Sequence, residues 1–182
     1  MRIIAGELKG RRLESPDWPG LRPTSDRLRE TLFNVIAARM AGARVVDAYA
    51  GTGAVGIEAL SRGAAHVTFV ERDARAIKLI ERNLGRCGVR ERYAIIRAGF
   101  ADAAKRLTTP FDVVFLDPPY GQAELDAAVS DVAGLVAAGG VAVVEHARRD
   151  TPPHEAGRLT LTRTLTSGDS ALAFYRTVDG TP

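Results

Sequence analysis

Three observations predict a doubly wound α/β domain. Short apolar strands alternate with amphipathic helices from residue 44 onward, a glycine-rich turn joins the first of these strands to the first helix, and two further strands flank Ser167-Gly168-Asp169 near the end. Such alternation builds a mostly parallel sheet with both faces covered, and a closing hairpin adds antiparallel edge strands. Residues 1–43 read as a small basic hairpin-and-helix extension, and residues 44–182 as the main domain.

The elements follow in order. Residues 2–13 carry β-type stretches around Gly6 and Gly10, which predict a small hairpin. Residues 15–23 are rich in proline and glycine and predict a loop. Ser25 is placed to cap a helix over residues 26–40, with Leu28, Leu32, Val35, Ile36 and Met40 on its inner face. Arg27 and Arg29 are expected away from that face, open to solvent or a ligand. Strands are predicted over 45–49, 66–70, 93–97, 111–116, 140–144, 159–165 and 171–175. Helices are predicted over 53–61, 73–87, 101–107 and 125–136, with Gly63 and Gly88 as stops for the first two.

With 46% apolar and 26% charged residues in 182, the chain can bury a core of ordinary domain size, which excludes a disordered tail or a disulfide miniprotein. No apolar run approaches the ~20 residues that span a bilayer, and residues 1–7 hold no signal-type apolar stretch. Cys87 has no second thiol to pair with, and His66, His146 and His154 are scattered, so neither a disulfide nor a metal is expected. A cytoplasmic location is expected. The net charge of +3 lies wholly in the first quarter: residues 1–44 hold nine Lys/Arg against five Asp/Glu, the rest sixteen against seventeen. A phosphate-bearing partner would be drawn to that patch.

At the first strand-to-helix junction, Gly51, Gly53 and Gly56 satisfy G-x-G-x-x-G. Glycine lets the chain turn tightly and lets backbone N–H groups approach a ligand. Glu71 ends the second strand, twenty residues after Gly51, where a carboxylate can accept from both ribose hydroxyls of an adenosine-type cofactor. A dinucleotide and S-adenosylmethionine both remain. Asp47, just before the glycines, favours the second, since a carboxylate attracts an ammonium and repels a pyrophosphate.

The fourth strand runs into Asp117-Pro118-Pro119-Tyr120. Ligands of open α/β sheets bind beyond the carboxyl ends of the strands, so this tetrapeptide is expected to face the glycine turn. Two prolines stiffen the loop and remove two N–H donors. Asp117 and the Pro118 carbonyl can then receive both hydrogens of an exocyclic NH₂, which exposes the nitrogen lone pair to an electrophilic methyl group. Tyr120 offers a face on which a purine can stack, worth about 1–3 kcal/mol.

Asp-Pro-Pro-aromatic is similar to the signature of amino-group methyltransferases. The chain as a whole resembles the RsmD-type 16S ribosomal RNA (guanine-N2) methyltransferase family. Met1-Arg2-Ile3-Ile4-Ala5-Gly6 with Lys9-Gly10-Arg11, the block from Arg22-Pro23-Thr24-Ser25 to Phe33-Asn34, Glu58 to Ala64, and Gly168 to Leu172 all resemble that family, nearly end to end. The arginine-rich block separates it from adenine-N6 DNA methylases, the main alternative. The resemblance implies a Rossmann-like, class I S-adenosylmethionine-dependent methyltransferase, with Asp47, Tyr49, Gly51, Thr52, Gly53, Glu71, Arg72, Gly99 and Phe100 at the cofactor. Phe100 would pack on the adenine and Asp102 would bond its amino group. Asp117, Pro118, Pro119 and Tyr120 would handle the target amine. Arg2, Lys9, Arg11, Arg12, Arg22, Thr24, Arg27 and Arg29 are candidates for holding RNA. The implied partner is 16S ribosomal RNA, as naked RNA or in a partly assembled small subunit, and the expected state is a monomer without metal or membrane.

Overall fold

The computed structural model describes residues 1–19 and 25–177. Its strands are β1 (Arg44–Ala48), β2 (His66–Glu71), β3 (Tyr93–Arg97), β4 (Phe111–Leu116), β5 (Val136–Ala147), β6 (Glu155–Ala156), β7 (Leu159–Ser167) and β8 (Ser170–Thr177). They form one sheet in the order β3-β2-β1-β4-β5-β8-β7-β6. β1 to β5 pair in parallel, while β8, β7 and β6 add on antiparallel. The jump from β1 to β4 is the switch point, where the carboxyl ends of strands leave a crevice for ligands. β5 starts at Val136 rather than at Gly140, with a register shift against β4 between Phe111 and Val113. The two-residue β6 was too short to carry a pattern.

The helices are α1 (Asp26–Ile36), α2 (Ala54–Ser61), α3 (Ala74–Cys87), α4 (Phe100–Arg106) and α5 (Gln122–Val132). Ser25 caps α1 by accepting from the Leu28 N–H at 3.2 Å. α1 tightens into a 3-10 turn, Ala37–Arg39, before reaching Met40. α3 starts at the Asp73 cap and stops at Gly88, whose φ of 74° ends the helix as expected. Side chains from α1, α2, α3 and residues 1–13, among them Leu28, Phe33, Leu60, Leu84 and Ile3, bury one face of the sheet together with Phe69 and Phe115. Phe100, Leu125 and Val129, from α4 and α5, bury the other with Val46 and Val144.

Residues 1–13 form a hairpin-like ladder, with Ile3 N–H donating to Arg11 at 2.9 Å and Gly10 N–H to Ile3 at 2.9 Å. It is clamped onto the end of α2. Glu58 accepts from the N–H groups of Ile4 (2.8 Å) and Ala5 (3.0 Å), and the Ser61 hydroxyl accepts from Leu8 N–H at 3.0 Å. Gly6 passes so close that a Cβ there would lie 1.9 Å from the Ser61 carbonyl oxygen.

Arg29 is a correction. It is 0% exposed, not open to a ligand: its guanidinium meets Asp26 at 2.6 Å, the Arg2 carbonyl at 2.8 Å and Glu58 at 3.8 Å. Burying a guanidinium costs several kcal/mol, and this pairing offsets it. Arg29 lies in the i, i+3, i+4, i+7 series with buried Leu32, Phe33 and Ile36, so the helical stripe includes it.

Candidate active site

The glycine turn closes directly after β1. Tyr49, Gly51 and Gly53 take left-handed backbone angles (φ 58°, 55° and 74°), and Gly53 opens α2. Gly56 has a packing role, since a Cβ there would lie 2.2 Å from the Phe69 ring. Asp47 is buried and accepts from the Gly56 N–H at 2.8 Å. Burial, opposed by that bond and reinforced by the charge of Glu71, pushes its carboxyl up to about 8. Glu71 braces the turn from β2, accepting from Gly51 N–H at 2.9 Å, Arg72 N–H at 2.7 Å and Asp73 N–H at 2.8 Å. A carboxylate has about four acceptor positions, so Glu71 keeps capacity for a ligand.

Thr52 is buried, and its carbonyl accepts from Asn83 at 2.9 Å. Asn83 also accepts from Glu14 N–H at 2.7 Å, which ties the turn to the basic extension. Arg72 is exposed and Gly99 half-buried at the start of α4. Asp102 is exposed in the first turn of that helix. Phe100, expected against an adenine, is a core residue at 3% exposure; its ring sits 5.8 Å from that of half-buried Tyr49, the ring left open on that side.

Asp117 follows β4, its N–H directed at the Ala48 carbonyl at 3.4 Å. Its carboxylate accepts no hydrogen bond from any described residue. Burial, then the charges of Glu145 and Asp47, hold its proton affinity well above the ordinary carboxylate range. Pro118 is buried and Pro119 exposed. Tyr120, 43% exposed, is the one large hydrophobic residue left open among those described. Its hydroxyl is held by Ser170 at 2.7 Å and donates to Glu145 at 3.4 Å, so the ring is anchored at its polar end.

Glu145, near the end of β5, was not anticipated, because the strand was expected to stop at Val144. The sequence carries an acid near the end of each of these strands, Asp47, Glu71, Asp117 and Glu145, but only the order β2, β1, β4, β5 brings them side by side. Alternation along the strands puts Asp47 and Glu145 on the face covered by α1, α2 and the hairpin, as Val45 and Val143 are.

On that same face, Arg2, Lys9 and Arg27 line a cavity of about 310 Å³ with Asp26 and Glu30. Arg2 and Arg12 line a neighbouring one of about 570 Å³. Arg11 is exposed but lines neither. Arg22 and Thr24 lie outside the described residues.

A doubly wound sheet, a glycine turn beside two acids, and an Asp-Pro-Pro-Tyr corner at the switch point define the Rossmann-like methyltransferase class. The model of the family described as Conserved hypothetical protein 95 matches residues 1–176, and the chain belongs to that family. It is 38% identical over 182 residues to "Putative rRNA methyltransferase YlbH" of Bacillus subtilis, covering 97% of this chain and 98% of that one. It is 40% identical over 130 residues to Ribosomal RNA small subunit methyltransferase D of Escherichia coli, covering 71% of this chain and 65% of that protein, just under two thirds. A solved structure, "Putative methyltransferase yhhF" from Escherichia coli, superposes with TM-score 0.86 at 34% identity over 97% of each chain. No helix among the described residues is long and apolar enough to cross a membrane.

Proposed function

We propose that the protein transfers a methyl group from S-adenosylmethionine to the exocyclic N2 amine of a guanine in 16S ribosomal RNA, in the cytoplasm. The observation that carries this is the pairing of an unbonded, partly buried Asp117 carboxylate with the exposed, hydroxyl-anchored Tyr120 ring on one rigid turn. Family membership and the named rRNA methyltransferase relatives support the substrate class.

The residues at the glycine turn fit the cofactor. Asp47 is a buried acid whose ionisation a methionine ammonium would favour, and Glu71 retains acceptors for ribose hydroxyls. When bound, the cofactor supplies a methyl group made electrophilic by its sulfonium. The protein's own work is alignment and exclusion of water. Tyr120 stacks the base, and Asp117 with the Pro118 carbonyl receives the amine hydrogens. The raised proton affinity of Asp117 suits it to take the proton released on methylation. Arg2, Lys9, Arg12 and Arg27 line cavities on the same face and would hold backbone phosphates, with Arg11 beside them. The target base must leave its stack, which costs least in rearranged or single-stranded RNA.

The test is transfer of isotopically labelled methyl to 16S RNA and to partly assembled small subunits, followed by mass spectrometry of nucleosides. N2-methylguanosine is expected, lost in Asp117→Ala while cofactor affinity is kept. Label on N6-methyladenosine would move the reading to the adenine alternative. Absence of transfer from every substrate, with RNA still bound, would leave a binding protein.

A further inference from the structure

We infer that Glu145 reads the target base, accepting the ring N1–H of guanine beside the amine held by Asp117, and thereby sets guanine against adenine. This rests on the guanine-N2 reading above.

Leu116 and Val144 are partners across β4 and β5, so Asp117 and Glu145 are the next residues on two adjacent parallel strands. Glu145 is 5% exposed, and its Oε1 lies 3.4 Å from the Tyr120 hydroxyl. The nearness of the two acids is also felt electrostatically, since the charge of Glu145 raises the proton affinity of Asp117. The acid is therefore built into the corner that holds the amine, on the face shared with Asp47.

Two neighbouring carboxylates offer a row of acceptors to whatever edge enters. The Watson–Crick edge of guanine carries N2–H₂ and N1–H side by side, a run of donors that matches that row. Adenine places an acceptor, its bare N1, next to its amine, and a carboxylate facing that lone pair is repelled. A glutamine side-chain amide likewise sets a carbonyl acceptor beside its NH₂. Among these three amine substrates, only guanine satisfies both acids. Hydrogen bonds to an ionised acceptor are stronger than neutral ones, and a site built for an N–H strongly rejects an analogue without it.

The experiment is a cycle of enzyme and substrate changes, using the full chain, S-adenosylmethionine and a target RNA carrying either guanine or 2-aminopurine. The analogue keeps the 2-amine but lacks N1–H. Wild type is expected to lose about 100-fold in kcat/KM on 2-aminopurine. Glu145→Gln is expected to lose at least 10-fold on guanine yet discriminate the two bases at least 10-fold less than wild type. The missing O6 of the analogue is common to both enzymes and cancels in the cycle. If Glu145 only anchored Tyr120, both substrates would suffer equally. Losses that simply multiply would therefore overturn the inference, as would a wild type that methylates both bases alike. Thermal melts check that the variant folds, and Glu145→Asp completes the same cycle if it does not. Failure of wild type to form N2-methylguanosine on guanine RNA would instead remove the underlying reading, a result distinct from a multiplicative cycle.

Discussion

Asp47→Asn separates what the cofactor site costs the fold from what it contributes to binding. Asp47 has an ordinary pKa of 3.8 when unfolded and about 8 when folded. Between those values the native state holds a proton that the unfolded chain has released, so stability falls as pH rises and levels off only above about pH 8. Each pH unit in that window is worth about 1.4 kcal/mol, so from pH 5 to pH 8 wild type should lose on the order of 4 kcal/mol through this group. Asparagine cannot ionise, yet its side-chain oxygen can still accept from the Gly56 N–H. The stability gap between Asp47→Asn and wild type should therefore widen with pH, on the order of 10 °C in Tm between pH 5 and pH 8. Denaturation of both proteins without cofactor, at four pH values, measures it. The same variant should bind S-adenosylhomocysteine more weakly, and wild type should release a proton on binding it, read by calorimetry in buffers of different ionisation enthalpy. A gap that stays constant with pH would refute the argument, because it would mean Asp47 is ionised in the folded protein at all these values.

Gly6→Ala should cost upward of about 3 kcal/mol, since its Cβ would lie 1.9 Å from the Ser61 carbonyl at a φ of +85°, and urea titration would show it. Methyl transfer should decline as pH falls, with its midpoint well above 3.8, because Asp117 must be ionised to accept from the amine and its proton affinity is raised; a kcat/KM profile against pH reads that limb. Reversing Arg2 and Arg27 to Glu should weaken RNA binding and lower the slope of log K against log salt by roughly 1.5, if each holds one phosphate. An unchanged slope would take the cavity they share out of the substrate path.

Much of the fold was legible because period and punctuation agree. β3 and β4 fall on the expected residues, and Ser25, Asp73 and Gly88 cap their helices as their chemistry requires. The end of α5 and the start of β5 differ from the expected residues, since Ala133 to Gly140 mixes small residues that fit helix, turn or strand and only pairing with β4 decides. Asp47, Glu71, Asp117 and Tyr120 could be nominated because strand ends meet at the switch point. Glu145 could not be coupled to Asp117 until β5 was known to lie beside β4. Arg29 departs from the expectation because its helical position, in register with Leu32, Phe33 and Ile36, outweighs its charge. Its more distant partner Glu58 sits on α2, so sequence separation hides that pair.

α2 is only eight residues long, about 12 Å. One end is the glycine turn, and the other grips the hairpin through Glu58 and Ser61. The turn and the hairpin, the proposed seats of the methyl donor and of RNA, are therefore mounted on opposite ends of one short strut, with Asn83 as a cross-brace between them. On that binding mode, any tilt of the strut links the two ends, and the factor by which RNA changes the affinity for the methyl donor must equal the factor by which the donor changes the affinity for RNA. Such coupling would be carried by the backbone itself, with no separate moving flap.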